Sequence, residues 1–150
     1  MPERVYGEIE GYPEGSTFTD RWDLYRSGVH RHNQMGIVGN AAEGEESIVL
    51  SGTYEDDVDE GDRITFTGEG GNHPGTGQQV ADQEPLSGNR ALSTSFDLRQ
   101  PVRVVRGARH RSEYSPQEGF RYDGLYEVTR YTVERGKSGF IIYRFELRKI

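Results

Sequence analysis

Between residues 51 and 67 the chain reads SGTYEDDVDEGDRITFT. It packs Glu55, Asp56, Asp57, Asp59, Glu60 and Asp62 into eight positions, with Tyr54 ahead of them and Phe66 behind. Several chemistries compete for such a stretch. An EF-hand calcium loop starting at Asp57 wants side-chain oxygens at 57, 59 and 61, Gly at 62 and Glu at 68. The chain offers Asp57 and Asp59 but Gly61, Asp62 and Gly68, which rejects calcium. A carboxylate pair for glycoside hydrolysis is unsupported, because an acidic turn does not fix the separation of two carboxyls. What remains is an aromatic, acid, aromatic order that runs into the glycine-rich segment 68–77. It reads either as a hairpin with core aromatics, Asp57 as a turn cap and a solvated tip, or as a slot walled by Tyr54 and Phe66.

Other motifs carry less. GKSG at 136–139 ends like a phosphate-binding loop, but that motif needs Gly where Tyr131 stands. HRHN at 30–33 offers His30 and His32 as a metal pair with no third ligand placed by the sequence, whereas zinc sites take three or four protein ligands. No nucleophile-elbow pattern occurs. The expectation is a binding domain with no catalytic residue, no metal and no cofactor.

The elements that must position these residues are mostly strands. Residues 139–149, GFIIYRFELRK, alternate Ile141, Tyr143, Phe145 and Leu147 against Ile142, Arg144, Glu146 and Arg148, the period of a half-buried strand. SIVLSG, DRITFTG, PVRVVRG and LYEVTRYTV read as further strands bounded by Gly, Asp or Pro. Near the start, Phe18, Trp22 and Tyr25 at i, i+4 and i+7 predict a helix with a Ser/Thr cap that stops at Gly28. NRALSTSF predicts a second, shorter one. This is an α+β domain on a strongly curved, barrel-like antiparallel sheet with flanking short helices.

Length and composition agree. One domain of 150 residues buries a single core. Without cysteine there is no disulfide frame, and no apolar run is long enough for a membrane span or a signal peptide. Nine Tyr, six Phe and one Trp argue for a folded chain although only 32% of residues are hydrophobic. The net charge of −7 is unevenly spread: residues 1–98 hold 6 Lys and Arg against 19 acids, and residues 99–150 hold 12 against 6. The last third could present a basic face.

Seven segments in order carry a resemblance to the SRA (SET- and RING-associated, or YDG) domain: SGVHR (27–31), SIVLSGTYEDDVDEGD (47–62), FTGEGG (66–71), NRAL (89–92), PVRVVRG (101–107), EGFRYDGLYEV (118–128) and GKSGF (136–140). The resemblance implies a PUA-like curved sheet over residues 1–150. It also implies binding of double-stranded DNA whose 5-methylcytosine, or related C5-modified cytosine, is flipped into a pocket. Tyr54 and Phe66 match the stacking positions and Asp57 the position that meets the exocyclic amine. Ser51, Gly52, Thr53 and Thr67 would line the rest. Arg31 matches a phosphate contact, and Arg103, Arg106 and Lys137 are further candidates from the basic third. The clamp that matches HNQMG offers Gln34 and Met35 to fill the vacated stack. The opposite loop lacks the Asn-Lys-Arg finger of the mammalian hemimethylated-DNA readers, with Gly77, Gln78 and Gln79 as the nearest equivalents. Phe66 stands where many members have Tyr, and Thr53 replaces a Gly common in eukaryotic members. The remaining acids are expected on a solvated rim. Bacterial relatives imply a restriction system with an HNH nuclease module outside these residues, and a cytoplasmic, DNA-associated place, or a nuclear one in a eukaryote. A PUA-like barrel that has drifted to RNA or protein binding is the alternative.

Overall fold

The computed structural model describes residues 4–73, 75–85 and 87–150; Pro74, inside the glycine-rich stretch, lies outside the described residues. The elements in chain order are β1 (Thr17–Phe18), α1 (Arg21–Ser27), β2 (Ile37–Asn40), β3 (Gly44–Leu50), β4 (Val58–Asp59), β5 (Arg63–Thr67), α2 (Gly88–Leu98), β6 (Val102–Gly107), β7 (Phe120–Arg135) and β8 (Ile141–Lys149). Among the described residues they form one eight-stranded sheet in the order β2-β3-β6-β7-β8-β5-β4, with β1 added on β7. The hydrogen-bonded path is open, ending at β2 and β4. All its pairs are antiparallel except β3 with β6. A parallel pair needs a long crossover, and the connection through β4, β5 and α2 supplies it. Register shifts in β2–β3, β6–β7 and β7–β8 insert bulges, which bend the long β7 and curl the sheet.

Both faces of β3 and β6 are covered, which explains their continuous apolar runs. Ile48, Leu50, Val102 and Val104 join one cluster with Leu92 of α2 and with Phe66, Phe145 and Leu147, while Val49 and Val105 join Phe18, Leu24, Val29 and Tyr122 on the other side. In β8, Tyr143, Phe145 and Leu147 are buried as the alternation predicts, and Ile142 is buried as well.

The first helix corrects the sequence reading of its buried face. It begins only at Arg21, capped by the Asp20 carboxylate on the Asp23 amide, so Phe18 belongs to a strand. Leu24 and Ser27, three apart, face the core, and Trp22 and Tyr25 are 55% and 45% exposed. The stop at Gly28 is as expected, with φ at 86°. No described helix is long and apolar enough to cross a membrane.

Tyr122, Asp123 and Gly124 are structural. The buried Tyr122 hydroxyl donates to Glu8, Asp123 pairs with Arg106 and Arg121, and Gly124 has φ of 99° where an added Cβ would meet Glu14.

Candidate functional site

After β3 the chain leaves the sheet at Ser51 and returns through β4 and β5. Tyr54 and Asp57 lie on the excursion and Phe66 on the returning strand. These three, with Ser51 and Thr53, line one cavity of about 160 Å³. Ile37, Val49 and Glu69 complete its walls, and Gln34 and Met35 stand at it from the loop before β2. The cavity therefore has two aromatic rings, an apolar side and two carboxylates, Asp57 and Glu69.

Each wall is fixed by its neighbours. Phe66 is buried in β5, paired with Phe145 of β8. The Tyr54 hydroxyl accepts the Gly70 amide at 2.8 Å, which ties the ring to the glycine-rich segment. Asp57 Oδ1 accepts the Thr67 amide at 2.7 Å. Burial pushes the Asp57 carboxyl up to about 6, with the Thr67 hydrogen bond pulling the other way. Thr67 Oγ1 is buried and has no hydrogen-bond partner among the described residues. Ser51 and Thr53 join hydroxyls at 2.7 Å. Gly52 does not line the cavity; its φ of 76° and the Arg109 carbonyl, 2.8 Å from where a Cβ would sit, require glycine there.

The acids around Asp57 overturn the expectation of a solvated rim. Asp56 is 2% exposed and accepts the Lys137 amide at 2.9 Å, anchoring the β7–β8 turn. Glu55 accepts from the Gln79 amide at 2.9 Å and the Ser138 hydroxyl at 2.7 Å. Asp59 takes Arg106 through both oxygens, at 2.7 and 2.8 Å, and His110 at 2.9 Å. Burial alone would raise the Asp59 carboxyl, but His110 and Arg106 outweigh it and hold it well below its ordinary value. Glu60 and Asp62 are exposed as expected.

Three of the expected DNA contacts are also corrected. Arg103 has no exposed surface and donates to the carbonyls of Val29, Val5 and Gly7. Arg106 is 4% exposed and is held by Asp59 and Asp123. A guanidinium with almost no exposed surface cannot reach a phosphate. Gln79 is buried too, its amide donating to the Gly70 and Ala81 carbonyls, so only Gln78 of that pair is exposed. Arg31 keeps partial exposure while forking onto Glu46, and Lys137 is exposed with its ammonium on the Glu55 carbonyl.

The histidine pair is committed elsewhere. His30 is buried between the Ser47 hydroxyl and the Met35 carbonyl, each at 2.7 Å, so neither ring nitrogen is left for a metal. Burial pushes His30 down to about 3, against the pull of the Met35 carbonyl. His32 Nδ1 accepts the amides of Gln34 and Met35, both at 3.0 Å.

Residues 5–150 match the SAD/SRA domain. The chain belongs to the SAD/SRA domain family. It is 42% identical to the E3 ubiquitin-protein ligase UHRF1 of Xenopus laevis over 99% of this chain. It is 36% identical to the Arabidopsis thaliana histone-lysine N-methyltransferase SUVH4, also over 99% of its length. The chain spans 22% and 26% of those two relatives. Among solved structures, the modification-dependent TagI restriction endonuclease superposes with a TM-score of 0.93 at 44% identity, covering 99% of this SRA chain and 53% of that one. The SUVH5 SRA domain bound to fully hydroxymethylated CG DNA gives 0.83 at 35%, covering 97% and 94%.

Ile37 had no motif to announce it, and Val49 and Glu69 lie inside the matched segments 47–62 and 66–71 without standing out in them. Val49 stands two residues before Ser51 at the end of β3, the spacing that puts neighbours on one strand face, and that is the signal that could have found it.

Proposed function

We propose that this SRA domain binds double-stranded DNA containing 5-methylcytosine or a related C5-modified cytosine and takes the modified base, flipped out of the helix, into the cavity between Tyr54 and Phe66. The observation that carries the reading is the combination of two aromatic walls with the buried Asp57 carboxylate in a single cavity of about 160 Å³, which Glu69 also lines. An extruded base must recover its lost stacking, and an aromatic face supplies about 1–3 kcal/mol for it. Cytosine presents an amine donor where thymine presents a carbonyl, so an ionised Asp57 rewards the first and repels the second. Solved SRA structures carrying methylated and hydroxymethylated DNA support the same reading.

The other residues take graded roles. Ser51 and Thr53 border the base, Thr67 stands behind it and holds Asp57 through its amide, Gln34 and Met35 enter the stack it vacates, and Gln78 faces the opposite strand. Arg31 and Lys137 remain the phosphate contacts. Gly52 shapes the turn beside the pocket without touching the base. The likeness to TagI supports a place as the recognition module of a modification-dependent restriction system, with strand cleavage by a nuclease module outside residues 1–150.

Affinity for matched duplexes carrying C, 5-methylcytosine or 5-hydroxymethylcytosine tests this. The modified duplexes are expected to bind more tightly, and Asp57→Ala to abolish the difference before it abolishes binding. Equal affinity of the wild-type protein for all three would overturn the proposal.

A further inference from the structure

The loop that carries Gln34 and Met35 has no regular secondary structure, yet nearly every polar group around it is engaged. Arg21, the first residue of α1, donates through Nη2 to the carbonyls of His32 and Met35 at 2.8 and 2.7 Å. His30, buried beneath, meets the same Met35 carbonyl. The amides of Gln34 and Met35 both converge on a single atom, His32 Nδ1. Met35 itself is 45% exposed at the rim of the base cavity, so the loop holds an apolar side chain in water beside an aromatic slot.

We infer that His32 is a positioning residue: its Nδ1 accepts two amides and so holds the loop in the shape that presents Gln34 and Met35 to the DNA stack. The inference rests on the reading of the cavity as a base slot. Two amides pointing at one ring nitrogen require its lone pair. A side chain without an acceptor at that place leaves two amides unpaired. Without them the loop must be ordered during insertion, and that ordering subtracts from affinity.

The surroundings define what else titrates or carries charge near the ring. Arg21 from α1 and His30 from the loop lie against it, and His30 is neutral through burial. Arg4, Arg26, Arg31, Tyr25 and Glu69 line the groove that His32 shares, with Arg4 and Arg31 paired to Glu46 of β3. None of these supplies a second acceptor to the Gln34 and Met35 amides among the described residues.

An asparagine Oδ1 occupies the place of histidine Nδ1 and accepts hydrogen bonds. Affinity for a 5-methylcytosine duplex with 2-aminopurine beside the modified base, together with its fluorescence, is therefore measured at pH 7.5 for wild type, His32→Ala, His32→Leu and His32→Asn. His32→Ala is expected to bind about fivefold more weakly, with a smaller fluorescence rise and no matching loss of melting temperature. His32→Asn is expected to restore both signals. Wild-type affinity in His32→Ala, or a loss in His32→Asn equal to that of His32→Ala, overturns the inference. If His32→Ala fails to fold, His32→Leu, which fills the space without an acceptor, takes its place with the same expected loss. Equal wild-type binding of C and 5-methylcytosine duplexes would instead sink the base-slot reading beneath it.

Discussion

Two regions built from one acidic run have opposite chemistry. On the cavity side, Asp57 meets a single backbone amide between aromatic walls, and burial leaves its carboxyl pushed up to about 6. On the far side, Asp59 is forked onto Arg106 and touched by His110, so its carboxylate is held charged well below the ordinary range. Only Val58 separates them. The difference teaches that charge in this stretch is spent on architecture at Asp56 and Asp59 and kept unpaired by a cation at Asp57, where an incoming base could use it.

The largest way to break this contrast is at the paired side. Arg106→Met would leave buried Asp59 with His110 alone and Asp123 with Arg121 alone. Loss of one partner of a buried pair costs about 3–5 kcal/mol, to be read as a drop in unfolding free energy in urea. The expected phenotype is an unstable protein, with weakened DNA binding only as a consequence.

Tyr54→Ala acts on the cavity side. Its effect is expected on affinity for the modified duplex, about 1–3 kcal/mol for a lost stacking face. Tyr54→Phe loses only the acceptor of the Gly70 amide and should cost less. Stability measured on the same samples separates the two regions: Arg106→Met moves it first, Tyr54→Ala moves binding first.

The pH dependence of stability sharpens the comparison further. Asp57 has a raised native pKa, so the native state holds its proton more tightly than the unfolded chain. Stability from this group is present at low pH and is lost as pH rises from about 4 to about 6. Asp59 has the opposite sign, stabilising above the ordinary carboxylate value and losing that contribution as pH falls below it. Asp57→Asn keeps an acceptor for Thr67 and should stabilise the protein on the order of 1 kcal/mol at pH 8 and little at pH 4, by thermal melts at both.

Much of the frame was legible in the chain. The alternation in β8, the apolar runs of β3 and β6 and the glycine stop of α1 are local patterns, and local patterns survive folding. Tyr54, Asp57 and Phe66 were legible as a slot through the resemblance to the SRA domain, whereas spacing alone fitted a hairpin with core aromatics as well. Partnerships over long separations were not. Nothing near Arg106 says that Asp59 and Asp123 enclose it, and nothing near Gln79 says that the carbonyls of Gly70 and Ala81 take its amide. Arginines in a basic third looked like a DNA face, whereas Arg103 and Arg106 are interior ties. Trp22 and Tyr25 fitted a helical stripe, but the helix starts too late for Phe18 to share it.

The central claim is that a cytosine leaves the helix and enters the cavity between Tyr54 and Phe66. It is tested most directly by the fluorescence of 2-aminopurine beside a 5-methylcytosine in a duplex titrated with wild-type protein, Tyr54→Ala and Asp57→Ala. The account predicts a rise with wild type that both variants lose while still binding the duplex at higher concentration. Saturable binding by wild type with no rise would contradict it.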